Sequence, residues 1–174
     1  NTQTYPTCTY AKSINRLLVA CNDANTGHAN CITLNAGDGN AQTVTLGDAD
    51  GYEFMASQCD YIDIAWDETV GKGLLVFRNG SKGKYQIFTV DDSDNSIAFP
   101  SDAASAGEFE PGDVKGCSVT WNENGFHTFQ NHTKTAYLPD TAAKGIMVVV
   151  HRDHYADIDA YRLSAQGTDY TNDV

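Results

Sequence analysis

The sequence predicts an all-β chain, an antiparallel β-sandwich or β-barrel of about ten short strands stabilised by disulfides. Three observations lead there. Short runs rich in Val, Ile, Leu, Phe and Tyr recur along the chain, parted by clusters of Gly, Asn, Asp and Ser. No long stretch carries the 3.6-residue apolar period of an amphipathic helix. Five cysteines, Cys8, Cys21, Cys31, Cys59 and Cys117, stand in no Cys-x-x-Cys spacing and read as disulfide partners rather than metal ligands.

Taken in order, "TCTYAKSINRLL" opens with one helical turn, and the first strand is Asn15–Cys21. "NDANTGHAN" is a polar loop before Cys31–Leu34. "NAGDGNA" breaks the chain, Val44 and Leu46 mark a short strand, and "GDADG" ends it. Tyr52–Met55 follows. Tyr61–Trp66 alternates Ile62, Ile64 and Trp66 against Tyr61, Asp63 and Ala65, a half-buried strand with its carboxylate on the wet face. Gly73–Phe77 reads as a buried strand and "RNGSKGK" as a hairpin turn. Tyr85–Val90, the turn "DDSDNS" and Ile97–Phe99 come next. Residues 100–113, rich in Pro, Ser, Ala, Gly and acid, read as a long loop. Cys117–Trp121, Phe126–Phe129, Ala136–Leu138, Ile146–His151 and Ile158–Leu163 complete the strands, before a polar tail of ten residues. No linker divides the chain, so 1–174 reads as a single domain, long enough for a proper core.

Composition narrows the function. The chain is 41% hydrophobic and 20% charged, with a formal net charge of −12. That charge repels phosphate backbones and anionic lipid, which makes generic nucleic-acid binding an unfavourable reading. The longest apolar run, Ile146–Val150, is too short to span a bilayer. A first residue that is not Met, with no secretory leader, fits a processed, secreted chain. The sequons Asn79-Gly80-Ser81 and Asn131-His132-Thr133 fit an extracellular glycoprotein. The expected bridges are Cys21–Cys31, between hairpin-like segments, and Cys59–Cys117. Cys8 is then free or joined to another chain.

Candidate chemistry is sparse. In "HRDHYADID" the strand period puts His151 and Asp153 on one face and Arg152 and His154 on the other. They converge only if the chain turns, and a solvated hairpin turn accounts for the same residues. It is still the first place to look for an ion. His127, in "FHTFQNH", with His151 or His154 makes a general acid–base pair, and Glu53 and Arg152 complete a kit for metal-free phosphodiester cleavage. These are residue types without a spacing signature. Asp92 and Asp94 alternate like the start of an EF-hand loop, but Ile97 and Ala103 stand where Gly and Glu are required. With Asp153 they are the metal candidates, calcium being the possible ion, and no other cofactor is expected. Trp66, Tyr61 and Asp63, in "CDYIDIAWDE", combine aromatics with a carboxylate as sugar-binding faces do, though a charged edge strand explains the stretch equally. No Gly-x-Ser-x-Gly or His-Glu-x-x-His occurs.

The residues therefore favour a non-catalytic binding protein, directed at an extracellular macromolecule such as a host component, a cell wall or a glycan. The rival is a small secreted hydrolase, of phosphodiesters or glycans, using His127, His151, His154, Glu53 and Arg152. A calcium-binding β domain is the third reading. Geometry separates the first two. The enzyme needs two histidines and a carboxylate around one point, and the binding protein needs an exposed aromatic or apolar patch.

Overall fold

The computed structural model describes the whole chain except residues 1–2, 24–25, 36–42, 69–70, 100–105, 111–113, 123–127, 132–133, 138–145, 153–157, 167–168 and 173–174. Side chains are described at 4–23, 26–28, 44–68, 71–99, 106–108 and 114–121. Among the described residues the fold is all-β, every strand pairing is antiparallel, and no helix is long and apolar enough to cross a membrane.

The first sheet comprises β1 (Gln3–Ala11), β2 (Arg16–Asp23), β3 (Thr26–Asn35) and β4 (Thr43–Leu46) in chain order, with β5 (Tyr52–Met55) also on β3. The second runs β10 (Gly107–Glu110), β8 (Lys82–Asp91), β7 (Lys72–Asn79), β6 (Asp60–Asp67), with β9 (Ser96–Ala98) beside β8. The third runs β11 (Gly116–Asn122), β14 (Ile146–Arg152), β15 (Ile158–Gln166), β16 (Asp169–Asn172). A separate hairpin pairs β12 (Thr128–Asn131) with β13 (Lys134–Tyr137).

Two cores flank the second sheet. On one face Ile62, Ile64, Trp66, Leu75, Phe77 and Phe88 pack with Ala11, Leu18, Ala20 and Phe54 of the first sheet. On the other Ala65, Leu74, Val76 and Ile87 pack with Val119, Cys117 and Trp121 of β11. Burial on both faces is why "GLLVF" reads as an unbroken apolar run. Phe54, Phe77, Phe88, Leu18, Leu74 and Leu75 are fully buried; each contributes roughly 1.5–3 kcal/mol by leaving water. The Phe88 ring lies over Gly73, its cross-strand partner, where a Cβ would come within 1.9 Å of the ring. A side chain at 73 would displace the ring.

Turn chemistry fixes the joints. Asn79 pairs with Lys82, so Gly80-Ser81 is a two-residue hairpin, and Gly80 takes the φ of +64° that such a turn requires. At the β1–β2 turn, Glu68 accepts the Lys12 and Ser13 amides at 2.7 Å each, and Trp66 Nε1 donates to Ser13 Oγ at 3.0 Å. Arg16 donates to Asn95 Oδ1 at 2.6 Å and to the Asp92 carbonyl, tying that turn to the one between β8 and β9.

Several expectations need correction. The segment read as a helical turn belongs to strand β1. The "NDANTGHAN" loop is largely strand, with Asp23 paired to Thr26. Residues 107–110 form β10 inside the presumed long loop, and 169–172 form β16 inside the presumed tail. Among the described residues no disulfide is present. Cys8, Cys21, Cys59 and Cys117 are free thiols. Cys21 stands opposite His28 while Cys31 stands opposite Leu18. Three rungs, about 10 Å, separate them, and an odd offset puts them on opposite faces, beyond the ~7 Å a disulfide spans. Cys59 and Cys117 belong to the two different cores, on opposite faces of the second sheet.

Candidate functional site

The strands β1 and β6 each carry a bulge. Register slips between Thr4 and Thr7 on β1, so that Tyr5 and Pro6 oppose one residue of β2. It slips between Asp60 and Asp63 on β6, so that Tyr61 and Ile62 oppose one residue of β7. In each bulge the first residue is left-handed, Tyr5 at φ +54° and Tyr61 at φ +51°. Glycine is the usual occupant of that position. An L-residue with a Cβ costs about 1–2 kcal/mol there, so two tyrosines are held against their preference.

The two bulges face each other. The Tyr5 and Tyr61 rings lie 5.3 Å apart between centroids, tilted at 51°. Arg78 Cζ sits 4.8 Å from the centre of the Tyr61 ring, within cation–π range. The same guanidinium donates to Asp60 Oδ2 at 2.5 Å and to the Val114 carbonyl at 3.4 Å. Burial acts to lower the Arg78 pKa, but the hydrogen bond and charge of Asp60 outweigh it and hold it above its ordinary value. Tyr5 is 40% exposed and Tyr61 half-buried, so the pair presents an aromatic surface with Asp60 and Arg78 beside it.

Asp63 stands at the next rung and has a different task. Its Oδ1 accepts from Thr7 Oγ1 at 3.0 Å and from the Ile64 amide at 2.9 Å. Its Oδ2 accepts from Ser118 Oγ and the Val119 amide, both at 2.9 Å. Thr7 is on β1, Ser118 and Val119 on β11. One carboxylate thus joins the edge strands of all three sheets. Asp63, expected on a wet, ligand-facing surface, is a structural strut. Trp66 is 3% exposed and belongs to the core. Tyr61 and Asp63 are both half-buried, but only Tyr61 stacks at the bulge surface, and its companion there is Tyr5, which the sequence reading did not include. A left-handed tyrosine leaves no mark in a sequence, because the signal readers use there is glycine.

The proposed acid–base residues fall in different places. Glu53 is exposed on β5, in the first sheet, opposite His28. His151 and Arg152 close β14, in the third sheet, and consecutive strand residues alternate in face. His127, His154 and Asp153 lie outside the described residues. Arg152, the last residue of β14, pairs with Ile158, the first of β15, and the turn expected over 153–157 lies outside the described residues. The register also makes rows. Cys117, His151 and Asp159 stand opposite one another on adjacent strands, as do Cys21, His28 and Glu53. Burial pushes the Cys117 thiol up to about 12, and burial with the Asp23 charge pushes the Cys21 thiol up. A raised thiol pKa suits a structural cysteine, since a nucleophile needs the thiolate.

The acidic turn is built on its own carboxylates. Asp91 Oδ1 accepts from the Ser93 amide and hydroxyl at 3.0 and 2.7 Å, which lowers the Asp91 pKa, and Asp94 Oδ1 accepts from the Ser96 amide at 2.9 Å. Asp92 gives its carbonyl to Arg16. Among the described residues no three His, Cys, Asp or Glu side chains group as a metal site. At the first sequon, Asn79 Nδ2 donates to Ser57 Oγ at 2.8 Å and to the Gln58 carbonyl at 2.9 Å. Asn131 ends β12 opposite Lys134. No known family profile, curated protein or solved structure matches the chain.

Proposed function

We propose that this protein is a non-catalytic binding protein that takes a saccharide on the Tyr5–Tyr61 surface, in an extracellular setting. The observation that carries the reading is the pair of tyrosines held left-handed at two facing bulges. Bulges re-aim side chains and recur beside functional sites, and non-glycine residues in left-handed backbone concentrate where a surface is kept for binding. A tyrosine ring offers a flat face for the C–H side of a sugar ring, and its hydroxyl, with Asp60, offers polar partners at the rim. The extracellular part rests on the sequons, one at the β7–β8 hairpin turn and the other starting at Asn131, the last residue of β12.

The hydrolase reading draws less support. Glu53 and the pair His151 and Arg152 belong to different sheets, and Asp60 is already committed to Arg78.

Thermal unfolding with a panel of short glycans, calcium, zinc and nucleotides tests the proposal. A ligand at a hundred times its Kd stabilises by about 2.7 kcal/mol. In a domain of this size that raises Tm by roughly 5–11 °C. A rise with a glycan that Tyr5→Ala abolishes supports the reading. A rise with zinc or a nucleotide, and none with any glycan, contradicts it.

A further inference from the structure

Three features of the Tyr5–Tyr61 surface narrow the saccharide it takes. The first is the tilt of the rings. A run of sugars, or the face of an insoluble polysaccharide, lies flat across several aromatic rings only when those rings share a plane. The Tyr5 and Tyr61 planes stand at 51° with centroids 5.3 Å apart, so a chain laid flat on one ring meets the other at an angle. The tilt is held. The Arg78 guanidinium lies over Tyr61 at 4.8 Å and is itself anchored to Asp60, its cross-strand partner, and to the Val114 carbonyl. Levelling the rings gives up the cation–π contact and the ring–ring contact together. The second feature is exposure. Tyr61 is half-buried under Arg78, whereas Tyr5 is exposed. Among the described residues the other exposed aromatic is Tyr10, roughly 16 Å farther along β1. The next sugar of a chain would fall in that gap. The third is charge. A net −12 repels acidic sugars, and Arg78 already has Asp60 as its counter-ion.

We infer that this surface takes one terminal ring of an uncharged, soluble glycan, and neither a run of sugars nor a polysaccharide face. The inference rests on the saccharide reading above and names the kind of saccharide. Tyr5 is the platform on which the ring stacks, and Tyr61 is the wall beside it. Asp60 and Arg78 form the polar edge. Their side chains are 18% and 21% exposed, enough to reach a sugar hydroxyl at the rim. A paired carboxylate and guanidinium still offer an acceptor and donors to hydroxyls while presenting little net charge. One stacked ring buries little area, so the affinity is modest. It is also independent of chain length, because sugars beyond the first leave the platform.

Titration calorimetry of the whole chain tests this. The sugars are methyl glycosides of the common neutral hexoses and N-acetylhexosamines, their linear tetrasaccharides, and glucuronate. Co-sedimentation with insoluble cellulose and chitin runs alongside. The expected result is that a methyl glycoside binds, with a Kd within about threefold of its tetrasaccharide's, while glucuronate and both solids do not bind. Tyr5→Ala, its fold checked by circular dichroism and Tm, abolishes that binding. A tetrasaccharide that binds about tenfold tighter than its methyl glycoside, or more, overturns the inference and leaves the saccharide reading standing. So does adsorption to either solid, or glucuronate binding as tightly as a neutral glycoside. Methyl glycoside binding that survives Tyr5→Ala overturns the inference by placing the sugar elsewhere. A chain that binds no sugar, soluble or insoluble, overturns the saccharide reading itself and the inference with it.

Discussion

Asp63 and Ser118 are 55 residues apart in the chain and meet at 2.9 Å, carboxylate to hydroxyl, where the edges of three sheets converge. The same carboxylate takes Thr7 from the first sheet and the Val119 amide from the third. Edge strands left bare invite pairing with other chains. Here β1, β6 and β11 guard one another, and the bulges that carry Tyr5 and Tyr61 lie just along the same seam.

Removing the strut should loosen the seam. Asp63→Ala leaves the Val119 amide and the Ser118 and Thr7 hydroxyls without their acceptor, at about 1–3 kcal/mol for each group left buried and unpaired. We expect a loss of about 2–4 kcal/mol in urea unfolding and faster exchange of the Val119 amide. Asp63→Asn keeps one acceptor oxygen and should fall between the two. A loss under about 0.5 kcal/mol for Asp63→Ala would show that the sheets hold together without it.

Gly73 is predicted to be intolerant of any side chain. Gly73→Ala should cost about 1–3 kcal/mol through overpacking against Phe88. Combined with Phe88→Leu, the two changes should cost clearly less than their sum, because the smaller side chain makes room for the new methyl. Simple additivity in that double-mutant cycle would place the Gly73 cost in the backbone instead.

The thiols make a pH prediction. Burial first, then the nearby Asp60 charge, raises Cys59 from 9.0 to about 12, and burial chiefly raises Cys117 over the same span. In the unfolded chain both ionise near the ordinary value. The folded state therefore holds more protons between about pH 9 and 12, and its stability falls as pH rises through that window. Cys59→Ala and Cys117→Ala should each flatten the alkaline decline. In native protein at neutral pH, Cys8 should react with a thiol reagent while Cys59 and Cys117 react only on unfolding. Recovery of a Cys59–Cys117 peptide from a non-reduced digest would contradict the arrangement of the two cores.

Much of the fold was legible because period-two alternation and turn residues are local. Ile62, Ile64 and Trp66 do face one core, and the Asn-Gly signal does mark a hairpin. What alternation cannot say is what covers the other face. Asp63 read as wet because the sequence gives no hint that β11 packs there. The disulfides failed for the same reason: proximity of Cys21 and Cys31 in sequence does not reveal that an odd register offset puts them on opposite faces. β1 was missed because Thr, Cys and Tyr alternate there without a clear apolar side. Tyr5 and Tyr61 were invisible as a pair because both owe their meeting to bulges, and nothing in "TYPT" or "DYID" signals a left-handed residue.

On the proposed function, the Tyr5–Tyr61 surface is kept for a ligand rather than for stability. Glycine at either position removes the ring and relieves the left-handed backbone. We would measure saccharide affinity by titration calorimetry, with Tm alongside, for the wild type, Tyr5→Gly and Tyr61→Gly. At least a tenfold loss of affinity is expected in both variants, about 1.4 kcal/mol, with stability unchanged to within about 1 kcal/mol. Variants that bind as tightly as the wild type, or that unfold while a wild type with no saccharide affinity does not, would make the tyrosines part of the scaffold and contradict the claim.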